Sequence, residues 1–330
     1  MNLPKIYPKK LKRGSHVRVI APSRSLKIIS EDVIELATKR LEALGVTVSI
    51  GSHAMEIDES VSSAIESRLE DLHEAFADTT VDAIFTAIGG YNAIQLLDKI
   101  DYDLIKRNPK ILCGFSDISV LSNAIYARTG LVGYSGIHFS SWGMEKGFDY
   151  SANMAERCLF EDTPYDLVSS EEWSDDPWFM DQDKRVFLKN DGLEVVNQGS
   201  TEGTIIGGHV RCLASLQGTE YWPVLENAIL FLEEDEETSA PLFDRLLHSL
   251  CYQKDFSEVK GIVIGRFQVN SKVSNEQLRS MIKKNTKLAH LPVIIGADIG
   301  HTTPMATFPV GGECKLIADE NTATITITKH

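Results

Sequence analysis

The chain has no Cys-x-x-Cys pair and only five cysteines, Cys113, Cys158, Cys212, Cys251 and Cys314, an odd number set mostly within apolar runs. That pattern speaks against a disulfide scaffold and suits buried free thiols in a reducing cytoplasm. No stretch approaches the ~18 consecutive apolar residues of a spanning helix. The opening residues also lack the roughly 7–15-residue apolar core of a signal peptide, so neither a membrane span nor export is expected. Positive charge is scarce. Lys plus Arg total 33 against 47 Asp plus Glu, a net charge of -14, which repels phosphate backbones and anionic lipid and removes nucleic acid and membrane from the expected partners. Neither nucleotide fingerprint, Gly-x-Gly-x-x-Gly nor Gly-x4-Gly-Lys, occurs, and no two histidines stand at a metal-binding interval. No cofactor and no metal are expected. Internal repeats and low-complexity segments are missing as well.

What remains is an ordinary globular composition, 43% hydrophobic and 24% charged, over 330 residues, enough for about two domains. The first part alternates strands and helices: HVRVIA (16–21), a helix over 31–45, VTVSI (46–50), a helix over 62–78, VDAIFTAI (81–88), a helix from Asn92 to Lys99, KILCG (110–114) and a helix over 117–128. Parallel strands need such crossovers, so this alternation predicts an α/β fold with a doubly wound parallel sheet over residues 1–150. Residues 151–200 are polar, acidic and poor in periodicity, and read as linker and surface loops. Residues 201–330 read as a second, β-rich α/β domain, with the active site in the interdomain cleft. Because such sheets hold ligands at the carboxyl ends of their strands, the loops 22–25, 88–92 and 114–117 are the places to seek chemistry.

Four places carry it. Ser116 lies in Gly114-Phe115-Ser116-Asp117, between an apolar strand and a helix, where a tight turn pushes a serine outward and helix-start amides can hold an oxyanion. Ile118 stands where the last glycine of Gly-x-Ser-x-Gly would be, and Ser116 as a plain N-cap with Asp117 in the first turn is the commoner arrangement for these five residues. Gly89 and Gly90 end the strand 81–88 and let main chain approach a substrate closely, or form an ordinary βα turn. Glu233 leaves the strand AILFL at the head of an acidic run over 233–237, which either orients a histidine or complements the dipole of the following helix. His301 follows PVIIGADIG on a strand-end loop, free to shuttle protons.

Together, GFSD with Ser116, the preceding IGG, LFLEE with Glu233 and GHTTP with His301 resemble the LD-carboxypeptidase family of serine peptidases, in the same order along nearly the whole chain. The resemblance implies Ser116 as nucleophile, His301 as general base, Glu233 as acid, and the Gly90 and Asp117 N–H groups as oxyanion hole. WSDDPWFMDQDKR and the IIGG…LQGTEYWP block look most like the microcin C self-immunity branch, which cleaves a carboxamide in an aminoacyl- or peptidyl-nucleotide. On that likeness Gly89, Trp173, Trp178 and His209 face substrate, the partner is a small peptide or aminoacyl-nucleotide, and the enzyme is a homodimer. Two departures from the family pattern stand out: His209 replaces a frequent Asn, and 234–237 are all acidic where a lysine is expected. The rival readings are a murein tetrapeptide LD-carboxypeptidase and a two-domain ligand-binding protein without turnover.

Overall fold

The computed structural model describes residues 3–320 and 322–330; Met1, Asn2 and Asn321, the last within the alternating C-terminal run, lie outside the described residues. Its first part runs β1 (His16–Ile20), α1 (Glu31–Ala43), β2 (Thr47–Ile50), α2 (Ile65–Ala77), β3 (Ala83–Thr86), α3 (Tyr102–Arg107), β4 (Ile111–Gly114), α4 (Ile118–Thr129), β5 (Gly133–Ser135) and α5 (Asp149–Phe160). β1 to β5 form a parallel sheet in the order β5-β4-β3-β1-β2. Alternate residues of each strand serve opposite faces, Phe85 and Cys113 on one, Ile84 and Leu112 on the other, and both faces are covered. That double burial explains why these strands read as continuous apolar runs. The expected helix after Gly90 is a 3-10 segment, Ala93–Lys99, while α3 and the three-residue β5 escape a periodicity reading because each is too short to show one.

The chain continues through β6 (Tyr165–Asp166), β7 (Glu172–Trp173), β8 (Leu188–Lys189), β9 (Glu194–Asn197), β10 (Gly199–His209), α6 (Val210–Ser215), β11 (Ala228–Glu233), α7 (Ala240–Cys251), β12 (Gly261–Gly265), α8 (Asn275–Lys284), β13 (Val293–Ala297), β14 (Phe308–Val310), β15 (Glu313–Ala318) and β16 (Ala323–Lys329). The second sheet is β6-β16-β15-β10-β11-β12-β13-β9, with β10 to β13 parallel and antiparallel strands on both flanks. This is the β-rich α/β half. α5 crosses residue 150 and buries Met154, Ala155, Cys158 and Leu159, so the stretch 151–200 holds part of a packed helix besides its loops.

Two features lock the halves together. β14 leaves the second half and joins the first sheet antiparallel to β5, Phe308 opposite Ser135. α4 hydrogen-bonds the second sheet: Asn123 Nδ2 donates to Gly207 O at 2.8 Å, and the His209 amide donates to Ser119 Oγ at 3.0 Å. The carboxyl ends of the two sets of parallel strands therefore face one cleft in fixed relation. No helix among the described residues is long and apolar enough to cross a membrane.

Candidate active site

Ser116 occupies the turn between β4 and α4 with φ +59°, a left-handed conformation rare for a residue with a Cβ. Such strain costs about 1–3 kcal/mol and persists where the flanking elements over-determine it, here a buried strand and a buried helix. The hydroxyl caps no helix. Asp117 is the N-cap of α4, without a side-chain cap bond, and Ser116 Oγ instead lies 3.0 Å from His301 Nε2. The Asp117 carboxylate accepts from Ser23 Oγ at 2.6 Å and from the Ala93 amide at 2.9 Å, tying the loops after β1, β3 and β4 into one floor. The amides of Gly90 and Asp117 have no acceptor among the described residues. Residue 89 must be glycine because a Cβ there would stand 2.9 Å from Ser116 Cβ.

From the second sheet, Glu233 is the last residue of β11 and is buried. Its Oε2 lies 2.7 Å from His301 Nδ1. Burial by itself raises its carboxyl, but the charge and hydrogen bond of His301, helped by His209 and Arg211, hold it below the ordinary carboxylate value. An ionised carboxylate only accepts, so Nδ1 carries the proton and Nε2 is left to accept from the serine hydroxyl. Gly300, at φ +96°, lies flat against this pair, and a Cβ there would enter the Glu233 carboxylate. The following residues do not serve the α7 dipole, since the first turn of α7 holds no acid. Arg211 gathers three of residues 234–237 instead, binding Glu234 Oε2 at 2.9 Å, Glu237 Oε2 at 3.3 Å and Asp235 Oδ1, while Glu236 accepts from Asn270 Nδ2 at 2.8 Å.

His209 ends β10 directly opposite Glu233, its ring centre 5.2 Å from that of His301. Burial opposes its charge, yet Cys212 and the Glu234 and Glu233 carboxylates raise its pKa well above the usual imidazole value. His209, Glu234 and Asp235 are close enough for a metal ion, though Arg211 already engages both carboxylates. On the other wall stands an imidazole that the sequence reading passes over. His138 is buried, with Nδ1 2.8 Å from Thr86 Oγ1 and Nε2 without a partner, and burial plus the nearby charges of His301 and Arg24 push its pKa down to about 3. Phe115 packs between it and His301, at 4.3 and 5.2 Å. Only its position in the loop after β5 could have singled it out, and β5 is too short to read.

A cavity of about 740 Å³ opens over these groups, lined by Gly89, Gly90, Ser116, Asp117, His209 and His301 among others. Trp178 lines it too, beside Phe179. Trp173 does not: it pairs with Leu188 and lies under the Arg266 guanidinium, 5.1 Å away.

Residues 17–136 match the family model of the LD-carboxypeptidase N-terminal domain, and residues 202–316 that of its C-terminal domain. An MccF-like protein from Bacillus anthracis superposes with a TM-score of 0.97 at 50% identity, over 98% of this chain and 100% of its own. The Escherichia coli microcin C7 self-immunity protein MccF is 28% identical over 88% of this chain and 86% of its own; its structure in complex with aspartyl sulfamoyl adenosine superposes with a TM-score of 0.88. The murein tetrapeptide carboxypeptidase of Pseudomonas aeruginosa is 28% identical over 89% of this chain and 91% of its own.

Proposed function

This chain belongs to the LD-carboxypeptidase family and is a hydrolase of the peptidase type, and from that premise we propose a serine mechanism acting on a carboxamide in a peptidyl- or aminoacyl-nucleotide. His301 Nε2 takes the Ser116 proton as Oγ attacks the carbonyl carbon. The Gly90 and Asp117 amides hold the oxyanion, whose two donors are otherwise unused. His301 then returns the proton to the departing nitrogen, the C–N bond breaks, and an ester links the acyl group to Ser116. Water, deprotonated by His301, attacks that ester and frees the serine. Glu233 keeps the imidazole in the tautomer that does this and stabilises its cation.

One observation carries the reading: Ser116 and His301 in the wall of the cavity and Glu233 buried behind them form a hydrogen-bonded chain, 3.0 and 2.7 Å long. The nucleotide half of the substrate is supported by MccF, which is described in complex with aminoacyl sulfamoyl nucleosides. Cleavage of a murein tetrapeptide is the second reading, favoured by the Pseudomonas relative. The homodimer rests on family likeness, and a reducing cytoplasm on five cysteines without a disulfide. The test is hydrolysis of both substrate types by the parent chain and by Ser116→Ala, with fluorophosphonate labelling of the serine. Turnover of one type and its loss in the variant are expected. A parent that cleaves neither, or a variant keeping over a tenth of the rate, removes the reading.

A further inference from the structure

Arg24 stands on the loop after β1, and Gly89 on the loop after β3. β1 pairs with β2 on one side and β3 on the other, so the strand order reverses between these two loops, the crevice where open α/β sheets take ligands. The Gly89 carbonyl accepts from the Arg24 amide at 3.3 Å and from its Nε at 3.1 Å. This double hold fixes the side chain one residue from the Gly90 amide while leaving the two terminal nitrogens without a partner among the described residues. Both residues of this contact line the cavity with Ser116.

The charges around it set Arg24 apart. Arg211, the other arginine of the wall, is taken up by Glu234, Asp235 and Glu237. Among the described residues, Arg24 is the one lysine or arginine lining the cavity that has no ion pair. A planar guanidinium with both ends free matches a carboxylate or phosphate in a two-pronged contact. In a chain of net charge -14, such a group needs a local cation, since the surrounding field repels it.

We infer that Arg24 receives the anionic group of the substrate's leaving fragment, a carboxylate in a peptide or a phosphate in an aminoacyl-nucleotide, beside the oxyanion amides. The inference rests on the hydrolase reading above and narrows its substrates to those with a negative charge close to the departing nitrogen. Arg24 is a specificity residue here and touches no proton in transfer.

The experiment compares kcat/KM for paired substrates in the parent chain, Arg24→Gln and Arg24→Lys. One pair is a peptide ending in L-lysyl-D-alanine and its C-terminal amide. The other is an alanyl phosphoramidate of adenosine and the uncharged alanyl amide of 5′-amino-5′-deoxyadenosine. The preference for the charged member should fall about 10–100-fold in Arg24→Gln, the range for a hydrogen bond to a charged group, chiefly through KM. Arg24→Lys should recover part of it. Loss in the first pair identifies a carboxylate, loss in the second a phosphate. An equal fall for both members of each pair, which a merely structural role would give, overturns the inference. Calorimetry of AMP and D-alanine on Ser116→Ala, with and without Arg24→Gln, gives a reading independent of turnover. At least one should bind and weaken by the same factor; binding of neither, or unchanged Kd values, overturns it. Full activity in Ser116→Ala would sink the serine mechanism while leaving that binding result to decide on Arg24.

Discussion

Two walls flank His301, and each presents an imidazole of opposite character. His138, on the first-sheet side, has a threonine hydroxyl for company and a phenylalanine ring beside it, and it stays neutral. His209, on the second-sheet side, faces Glu233, Glu234 and Asp235, and with Cys212 beside it its pKa is raised well above the usual imidazole value. Both are almost wholly buried. Burial disfavours the charged form in both; beside His209 the Cys212 sulfur and the Glu234 and Glu233 carboxylates repay that cost, while beside His138 the charges of His301 and Arg24 add to it. Residue type therefore does not assign charge in this site. The wall does.

The largest expected effect lies between the walls. Ser116→Ala should lower kcat by at least ~10³-fold, with both walls intact as judged by an unchanged melting temperature. His301→Ala should cost about as much, and the double variant should be no slower than either single one, because nucleophile and base act as a unit. Additive losses in a kinetic comparison would separate them. Glu233→Gln comes next, with kcat down by roughly 10²–10⁴-fold, as when a triad histidine loses its tautomer. A near-parental rate would move Glu233 out of the site and leave the second wall merely structural.

The two histidines then give opposite slopes of stability against pH. His209 has a folded pKa above its unfolded value of about 6.5. Its contribution is full below that value and is lost as pH rises through the higher folded pKa. His138 has a folded pKa of about 3, so as pH falls from about 6.5 the unfolded chain takes up a proton that the folded chain refuses, and stability declines until about pH 3. Melting curves of His209→Gln should lose the alkaline decline. Those of His138→Gln, the smaller change, should flatten on the acid side. Identical pH profiles in the two variants would erase the contrast between the walls.

Much of this was legible beforehand because it is local. Apolar runs ending at Gly89, Ser116, Glu233 and before His301 mark strand ends, and in parallel sheets strand ends are where chemistry gathers. The N-cap alternative for Ser116 and the dipole alternative for the acidic run could not be decided locally, since a serine or an acid beside a helix start looks the same in either role. Trp173 and Trp178 show the same limit: five residues apart in one polar segment, one packs under Arg266 and the other lines the cavity.

The alternation of strands and helices, the parallel sheet of the first part and the chemical type of each strand-end residue were determined by the sequence itself, through periodicities and turn residues that act over a few positions. Only the tertiary structure decided that Ser116 and His301, 185 positions apart, meet at 3.0 Å, and that β14 crosses back to the first sheet to hold the His301 loop. It alone decided which imidazole carries charge and which arginine is left free. Proximity and protonation depend on burial and on partners far along the chain, and no local pattern encodes either.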